Sequence, residues 1–205
     1  MASEFRPGGQ VLYVFFGLIA SGKSTLAEAW ARSLGINSYN SDRVRKELAG
    51  LAVNAPQQES FNAGIYTAEF SRKTYDALLA YAQADLAAQR SAVLDGSYQS
   101  KAERERVREI AERHGAALIF VECRCPEPLL QERMAMRALD PNAVSDGRWE
   151  IYLQQKDRFE KPAELRSGEL ITIDTDAPLA TLLTRLAVAV QHTCVEAANR
   201  RGLPA

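Results

Sequence analysis

The sequence has few of the residues that build disulfide and metal sites. Its 205 residues include three cysteines and two histidines. The cysteine number is odd, and Cys123 and Cys125 form a CxC pair inside an apolar run instead of a CxxC motif. This usage argues against a disulfide framework and predicts packing thiols in a reducing, cytoplasmic setting. Two histidines, His114 and His192, are too few to build a zinc site by themselves.

A long hydrophobic segment and an excess of one charge are also missing. The longest apolar stretch, residues 11–20, is well short of the roughly 20 residues that span a bilayer. The preceding residues do not follow the pattern of an export signal. Twenty-five basic side chains stand against 26 acidic ones, so no net positive charge attracts nucleic acid or an anionic membrane. We expect neither a membrane nor a nucleic acid as partner.

Short apolar runs alternate with longer amphipathic ones along the chain. The runs that predict β-strands are 11–16, 36–40, 91–95, 117–123 and 169–174. Helical patterns lie between them, the longest over residues 65–89. Strands that alternate with helices favour a five-stranded parallel sheet with helices on both faces, an α/β fold. The length predicts one domain, 1–205, with a small lid at about 137–150.

Residues 17–24 match the phosphate-binding pattern GxxxxGK[ST] at every fixed position, between a predicted strand and a predicted helix. The two glycines let the backbone wrap closely around a phosphate, and the helix adds its positive dipole end. Lys23 reaches the β- and γ-phosphates, and the Ser24 hydroxyl is a ligand for Mg²⁺. The pattern predicts a site for ATP and Mg²⁺. Its predicted nucleotide contacts are Gly17, Ala20, Ser21, Gly22, Lys23, Ser24 and Thr25.

Two carboxylates follow predicted strands, at the sheet edge where open α/β folds bind ligands. Asp42 follows strand two and could accept the proton of a hydroxyl that attacks the γ-phosphate, with Arg45 near an anionic or polar acceptor. Alternatively, Ser41 caps this helix and Asp42 complements its dipole. Asp95 ends strand three, a usual place for an acid that helps to hold Mg²⁺, although aspartates there also form turns.

Three further polar residues are candidates for contact with the nucleotide. Arg133 and Arg137 are four residues apart on a helix, so both guanidinium groups share one face and could act as charge clamps on phosphates. A solvated basic face is the alternative. Thr175 follows strand five and could border the nucleotide base, although such a junction favours threonine anyway.

The chain resembles P-loop kinases of the nucleoside-monophosphate-kinase-like class, in particular the ATP-binding AAA-type family. Members of that family also occur fused to aminoglycoside-phosphotransferase-like domains, and polynucleotide 5′-hydroxyl kinases and zeta-toxin kinases are more distant relatives. The resemblance is carried by GLIASGKSTLA, SDRVRKELAGL, IYTAEFSRKTYDALL, VLDGSYQSKAERERV, CRCPEPLLQERMAMR and SDGRWEIYLQQ. These stretches occur in family order over most of the chain.

The resemblance implies a three-layer P-loop NTPase fold, a general base at Asp42, an acceptor-binding Arg45, and Arg133 on the donor phosphates. Residues 95–98 read DGSY where relatives often have DATF, and residues 145–147 read SDG where many have SDA. Both departures bear on the identity of the acceptor. The predicted acceptor contacts are Ser41, Asp42, Arg45, Asp95 and Tyr98.

Together these features predict a kinase that transfers the γ-phosphate of Mg·ATP to a hydroxyl of a small molecule, as a monomer or weak homodimer. Lys23, Asp42 and Arg133 are the predicted catalytic residues, and Ser24 and Asp95 the predicted metal ligands. Two alternatives stay open. A polynucleotide 5′-hydroxyl kinase needs a basic channel with stacking aromatic side chains. A regulatory ATPase needs no base on the acceptor side.

Overall fold

The computed structural model describes residues 9–52, 64–138 and 149–200, except the side chains of 137–138 and 194–200. Its strands are β1 Val11–Phe16, β2 Asn37–Asn40, β3 Ala92–Asp95, β4 Ala117–Arg124 and β5 Leu170–Asp174. Its helices are α1 Lys23–Leu34, α2 Ser41–Leu48, α3 Ala68–Ala87, α4 Lys101–Arg113, α5 Glu127–Ala138, α6 Trp149–Arg158 and α7 Leu179–Arg200. The helical pattern at 65–89 is divided, because Thr67 caps α3 by accepting the N–H of Phe70 after a short 3₁₀ turn.

The five strands form one parallel sheet in the order β2-β3-β1-β4-β5. The predicted α/β fold with a five-stranded parallel sheet is therefore confirmed. The register places Phe15 of β1 opposite Asp95 of β3 and Val121 of β4. Since β3 and β4 flank β1 on opposite sides, the connections diverge beside β1 and leave a crevice at the carboxyl ends of the strands.

Alternate residues of β1 supply two separate cores, as expected for a strand buried on both faces. Tyr13 lies on one face and packs edge-to-face against Trp30 of α1, with ring centroids 5.8 Å apart, and α7 covers the same side. Leu12 and Val14 lie on the other face against α3 and α4. Within the described ranges, no helix is long and apolar enough to cross a membrane.

A third, smaller apolar cluster fixes the loop that follows β1. Ile19 and Ala20 of this loop pack against Leu130 and Met134 of α5 and against Tyr152 of α6. The loop is thus anchored by β1, from which it continues, and by its contacts with α5 and α6.

A buried arginine fixes the wall of the crevice on the side of α4. The Arg104 guanidinium is fully buried and pairs with Glu164 at 2.5 Å. It also donates to the backbone oxygens of Tyr98 at 2.8 Å and Glu160 at 3.0 Å. One side chain therefore ties α4 to the loop after β3 and to the chain beyond α6.

Candidate active site

The loop of residues 17–22 has a backbone that most side chains would obstruct. Gly17 has φ 141°, and a Cβ there would stand 2.5 Å from the carbonyl oxygen of Cys123. Gly22 has φ 83° and precedes the first residue of α1, which is Lys23 as predicted. The Lys23 ammonium makes one long hydrogen bond, 3.4 Å, to the Leu18 carbonyl oxygen. It therefore lies over the loop, where an anion bound at the start of α1 would meet it.

Asp95 lies beside this loop because β3 pairs directly with β1. Its carboxylate is 2% exposed, and its Oδ2 accepts from the Asn40 side-chain amide at 2.5 Å. Within the described part of the chain, its Oδ1 is buried and has no hydrogen-bond partner. Burial raises the pKa of Asp95, although the charge of Lys23 and hydrogen bonds from Ser24 and Asn40 oppose the rise.

Ser24 and Asp95 together offer oxygen donors at one point of the crevice. The Ser24 hydroxyl accepts from the same Asn40 amide, at 3.3 Å. Oxygen donors are the ligands that Mg²⁺ prefers, and the partnerless Oδ1 of Asp95 fits a site that a cation would complete. These two residues could therefore hold the predicted metal ion.

Asp42 lies in the first turn of α2, and the residue that caps this helix is Asn40. The Asn40 Oδ1 accepts the backbone N–H of Asp42 at 3.1 Å and of Arg43 at 3.0 Å. The alternative in which Ser41 caps the helix is wrong, because Ser41 is already helical. Asp42 is half-buried and lines the same cavity as Lys23.

That cavity has a volume of about 730 Å³ and opens beside the phosphate loop. It is bounded by the loop and by α2, α3, α4 and α6. Its hydroxyl-bearing lining residues are Ser41, Tyr66, Ser71, Tyr75, Ser97 and Ser100. Its charged lining residues are Lys23, Asp42, Arg45, Arg72, Asp76, Glu103, Arg106 and Arg158. Five cations thus face three carboxylates, an excess of positive charge in a chain whose net charge is −1.

The cavity arginines differ in how firmly the protein holds them. Arg45 is 6% exposed, donates to the Ile65 carbonyl at 2.9 Å and to the Ser71 hydroxyl at 3.1 Å, and stacks on Tyr66. Arg106 pairs with Asp76 at 2.5 Å. Arg72 is exposed and has no partner among the residues that the structure describes.

Arg133 and Thr175 lie behind the phosphate loop. The Arg133 guanidinium donates to the Thr175 hydroxyl at 3.0 Å and to its carbonyl oxygen at 2.5 Å, and the Thr175 hydroxyl donates to the Ser21 carbonyl oxygen at 2.7 Å. A Cβ on Gly22 would approach both residues at 3.3 Å. In this arrangement Arg133 supports the loop, and its contact with donor phosphates stays a prediction. The side chain of Arg137 and the lid residues 139–148 lie outside the described residues.

Tyr98 is not brought to the cavity. It is 1% exposed and packs edge-to-face against Tyr75 in the core, with centroids 5.0 Å apart. Gly96 permits this turn, since a Cβ there would stand 3.2 Å from the Tyr98 ring. Ser97 faces the cavity instead, with its hydroxyl 2.9 Å from that of Tyr75. The expectation that Tyr98 contacts the acceptor does not fit its buried position, and Ser97 is the residue of this turn that lines the cavity.

The remaining predicted residues have simpler placements. Thr25 is exposed on the first turn of α1. Cys123 is buried, and burial raises the pKa of its thiol to about 12, which agrees with a packing role. The side chain of Cys194 lies outside the described residues.

Sequence reasoning missed three site residues: Asn40, Arg72 and Ser97. Asn40 had a usable signal, because asparagine before a helix is a favoured cap. The signal for Arg72 was its spacing to Tyr75 and Asp76 on one face of α3, which resembles any amphipathic helix. Ser97 had no signal in the sequence, because the tyrosine next to it is the more conspicuous residue.

Solved structures that resemble this chain include several kinases. A gluconokinase from Sinorhizobium meliloti has a TM-score of 0.67 at 20% identity, covering 96% of this chain and 99% of that one. The APS kinase of Mycobacterium tuberculosis, in complex with AMPPNP and APS, has a TM-score of 0.62 at 16% identity, covering 91% and 99%. The shikimate kinase of Aquifex aeolicus has a TM-score of 0.55 at 17% identity, with the same coverage. At these identities the likeness shows the fold.

Among curated protein sequences, none matches this chain. The model of one protein family does match it, over residues 12–162, and its description is AAA domain. That stretch includes the phosphate loop, Asp42, Asp95 and Arg133, and it covers well over half of the 205 residues. The resemblance to P-loop kinases that the motifs suggested is confirmed. The chain therefore belongs to the AAA domain family of P-loop proteins.

Proposed function

We propose that this protein is a kinase that transfers the γ-phosphate of Mg·ATP to a hydroxyl of a small molecule bound in the cavity. One observation carries the proposal: Lys23 of the phosphate loop and the carboxylate of Asp42 line the same cavity of about 730 Å³. A donor phosphate and a hydroxyl acceptor can therefore meet between a cation and a base. The likeness to structures of a gluconokinase and an APS kinase supports a small-molecule acceptor.

The chemistry needs few covalent steps from the protein. Asp42 takes the proton of the acceptor hydroxyl as its oxygen bonds to the γ-phosphorus, while the bond between that phosphorus and the β-bridging oxygen breaks and ADP leaves. Lys23 stabilises the charge on the transferring phosphoryl group. Ser24 and Asp95 would hold Mg²⁺, which would neutralise the negative charge that develops on the phosphates.

The charges of the cavity favour an anionic acceptor. Positive side chains exceed carboxylates in the lining. One of the carboxylates, Glu103, is engaged with the backbone and hydroxyl of Ser100 at the start of α4, and burial raises its pKa. Among the described lining residues, Arg72 is an exposed cation without a partner, and an arginine suits a carboxylate, sulfate or phosphate group. We therefore include a hydroxyl-bearing acid as the acceptor in the proposed function.

The test is ATP consumption above background hydrolysis over a panel of paired acceptors, sugar acids and the corresponding neutral sugars. We expect turnover with an acid, and Asp42→Asn to lower phosphoryl transfer about 10²–10⁴-fold with nearly unchanged Mg·ATP binding. Transfer at the wild-type rate in Asp42→Asn would leave Asp42 as a helix-start residue and favour a regulatory ATPase. Turnover with a 5′-hydroxyl oligonucleotide alone would favour the polynucleotide kinase.

Arg72→Gln tests the acceptor charge separately. We expect it to raise the KM for the acidic acceptor at least about tenfold, the effect of one lost charged hydrogen bond, while the KM for ATP stays the same. Arg113→Gln, at the far end of α4, is the matched control for loss of a surface charge. An unchanged KM in Arg72→Gln would remove the anionic acceptor from the proposal and leave the kinase activity standing.

A further inference from the structure

Asn40 uses both ends of its side-chain amide, in opposite directions. Its Oδ1 accepts the backbone N–H groups of Asp42 and Arg43, at 3.1 and 3.0 Å. Its Nδ2 donates to Asp95 Oδ2 at 2.5 Å and to Ser24 Oγ at 3.3 Å. One residue at the end of β2 thus contacts the helix that carries Asp42 and both oxygen donors of the candidate metal site.

The neighbours of Asn40 allow only one orientation of this amide. Two backbone N–H groups meet one end, so that end must be the oxygen. The reverse orientation would place amide hydrogens against these N–H groups and a carbonyl oxygen against the carboxylate of Asp95. The hydrogen bond to Asp95 is therefore a consequence of the cap on α2, and the two functions of the side chain are coupled.

The amide of Asn40 also decides which oxygen of Asp95 is left over. Oδ2 is engaged by Asn40, whereas Oδ1 is buried without a hydrogen-bond partner within the described ranges. The Ser24 hydroxyl receives the second amide hydrogen of Asn40, which fixes the position of its oxygen. The two candidate metal-ligating oxygens, those of Ser24 and Asp95, are thus oriented by an amide group that would not itself contact an ion or a substrate.

We infer that Asn40 is a positioning residue: its Nδ2 orients Ser24 and Asp95 for the metal ion, and its Oδ1 holds α2, with Asp42, in register with them. The inference rests on the proposed function. Residues that orient metal ligands in this way commonly change metal affinity 10–100-fold when they are removed.

The variant that separates the two functions is Asn40→Ser. Serine caps helices about as well as asparagine, so α2 keeps its cap. The shorter side chain cannot cap the helix and also donate to Asp95, so the amide donor is lost without adding a charge. Asn40→Ala removes cap and donor together.

A matched control lies on the same strand. The Asn37 amide also donates to a buried carboxylate, that of Asp85, at 3.0 and 2.9 Å. Asn37→Ser deletes the same type of hydrogen bond at the opposite end of β2, away from the phosphate loop. It controls for the general cost of leaving a buried carboxylate with one donor fewer.

The experiment measures ADP affinity by calorimetry, with and without Mg²⁺, and the Tm of each ligand-free variant. In Asn40→Ser we expect the gain in ADP affinity that Mg²⁺ provides to fall at least about tenfold. The ADP affinity without Mg²⁺ should stay within about twofold of wild type, and the Tm should be close to that of wild type. In Asn37→Ser we expect a lower Tm and an unchanged Mg²⁺ effect. Asn40→Ala should match Asn40→Ser in its Mg²⁺ effect but have the lower Tm, because it also loses the cap.

Three outcomes would overturn the inference. An unchanged Mg²⁺ effect in Asn40→Ser means that Nδ2 positions nothing. An equal loss in Asn37→Ser means that the effect is a general response to destabilisation. A far larger loss in Asn40→Ala than in Asn40→Ser means that the cap, and not the donor, is responsible. These three outcomes overturn the inference alone. If the wild-type protein itself shows no Mg²⁺ effect on ADP affinity, the metal site of the proposed function fails as well.

Discussion

Two buried carboxylates lie at opposite ends of β2, and they differ in what surrounds them. Asp85 of α3 and Asp95 of β3 are each 2% exposed. Asp85 accepts from the Asn37 amide, from the Tyr39 hydroxyl at 2.8 Å and from the Arg90 guanidinium at 2.7 Å. Asp95 accepts from Asn40 at Oδ2 and also has a hydrogen bond from Ser24, but its Oδ1 has no partner in the described part of the chain.

The difference is visible in the pKa of each group. Burial raises the pKa of Asp85, but hydrogen bonds from Asn37, Arg90 and Tyr39 outweigh this and hold it below the usual value. Burial raises the pKa of Asp95, and its neighbours do not compensate. A carboxylate whose hydrogen bonds are complete stabilises the fold. One that is buried and incomplete costs stability, and its position beside a phosphate loop agrees with the proposed metal site.

The largest expected effect distinguishes the two carboxylates by activity. We expect Asp95→Asn to lower phosphoryl transfer about 10²–10³-fold, the usual cost of losing a group that stabilises charge in the transition state. The ligand-free Tm should be equal to or above that of wild type, because the substitution removes an uncompensated buried charge. The checks are steady-state kinetics and thermal unfolding with and without Mg·ADP. A clearly lower ligand-free Tm would show that Asp95 is structural like Asp85.

Asp85→Asn should give the opposite pattern. We expect the free energy of unfolding to fall by about 1.5–3 kcal/mol, the range for hydrogen bonds to a charged group, because Arg90, Asn37 and Tyr39 lose their carboxylate. Phosphoryl transfer at 25 °C should stay within about twofold of wild type, because Asp85 is not among the residues that line the cavity. Urea unfolding and an activity assay on the same preparation test both statements. A large loss of activity without a loss of stability would contradict this contrast.

The pH dependence of stability sharpens the comparison. A carboxyl group whose folded pKa is depressed contributes stability that is complete above its unfolded pKa, about 3.9 for aspartate, and is lost as the pH falls through the folded value. The difference in unfolding free energy between wild type and Asp85→Asn should therefore be constant from about pH 7 to 5 and shrink below about pH 4. Urea unfolding at a series of pH values measures it. A difference as large at pH 3 as at pH 7 would mean that the depressed pKa is not the cause.

The smallest effect concerns the cation beside Asp85. The Arg90 side chain is 59% exposed, so water screens its interaction with the carboxylate. We expect Arg90→Gln to cost about 0.5–1 kcal/mol, less than Asp85→Asn, because the donors Asn37 and Tyr39 remain. Urea unfolding of the two single variants and the double variant measures the coupling. A cost for Arg90→Gln equal to that for Asp85→Asn would assign the whole stabilisation to the ion pair.

The elements and the phosphate loop could be predicted because their signals are local. The strand bounds agree with the apolar runs to within a residue or so, and α1 begins at Lys23 as the motif requires. Asp95 was expected beside the loop strand, and the pairing of Phe15 with Asp95 confirms that neighbourhood. The lid and the side chain of Arg137 stay predictions.

The side-chain partners in the crevice could not be predicted in the same way. Tyr98 was expected at the acceptor, but the turn at Gly96 buries its ring and presents Ser97. The contact of Arg133 with phosphates stays a prediction, but its hydrogen bonds to Thr175 were not foreseen. Such contacts depend on which helix packs against which loop, and a shift of one residue along the chain changes the face on which a side chain lies.

The sequence alone therefore determined the fold class and the phosphate loop, because apolar periodicity and the GxxxxGK[ST] spacing act over neighbouring residues. Only the tertiary structure decided that Asn40 contacts Ser24 and also Asp95, which lies 55 residues after Asn40 in the sequence. It also decided that Thr175 supports the phosphate loop at Ser21, 154 residues before it. Hydrogen bonds across such separations form only after the sheet order and register are set. The sheet brings the ends of β1, β2 and β3 together at one edge, and that edge makes separate polar residues into a site.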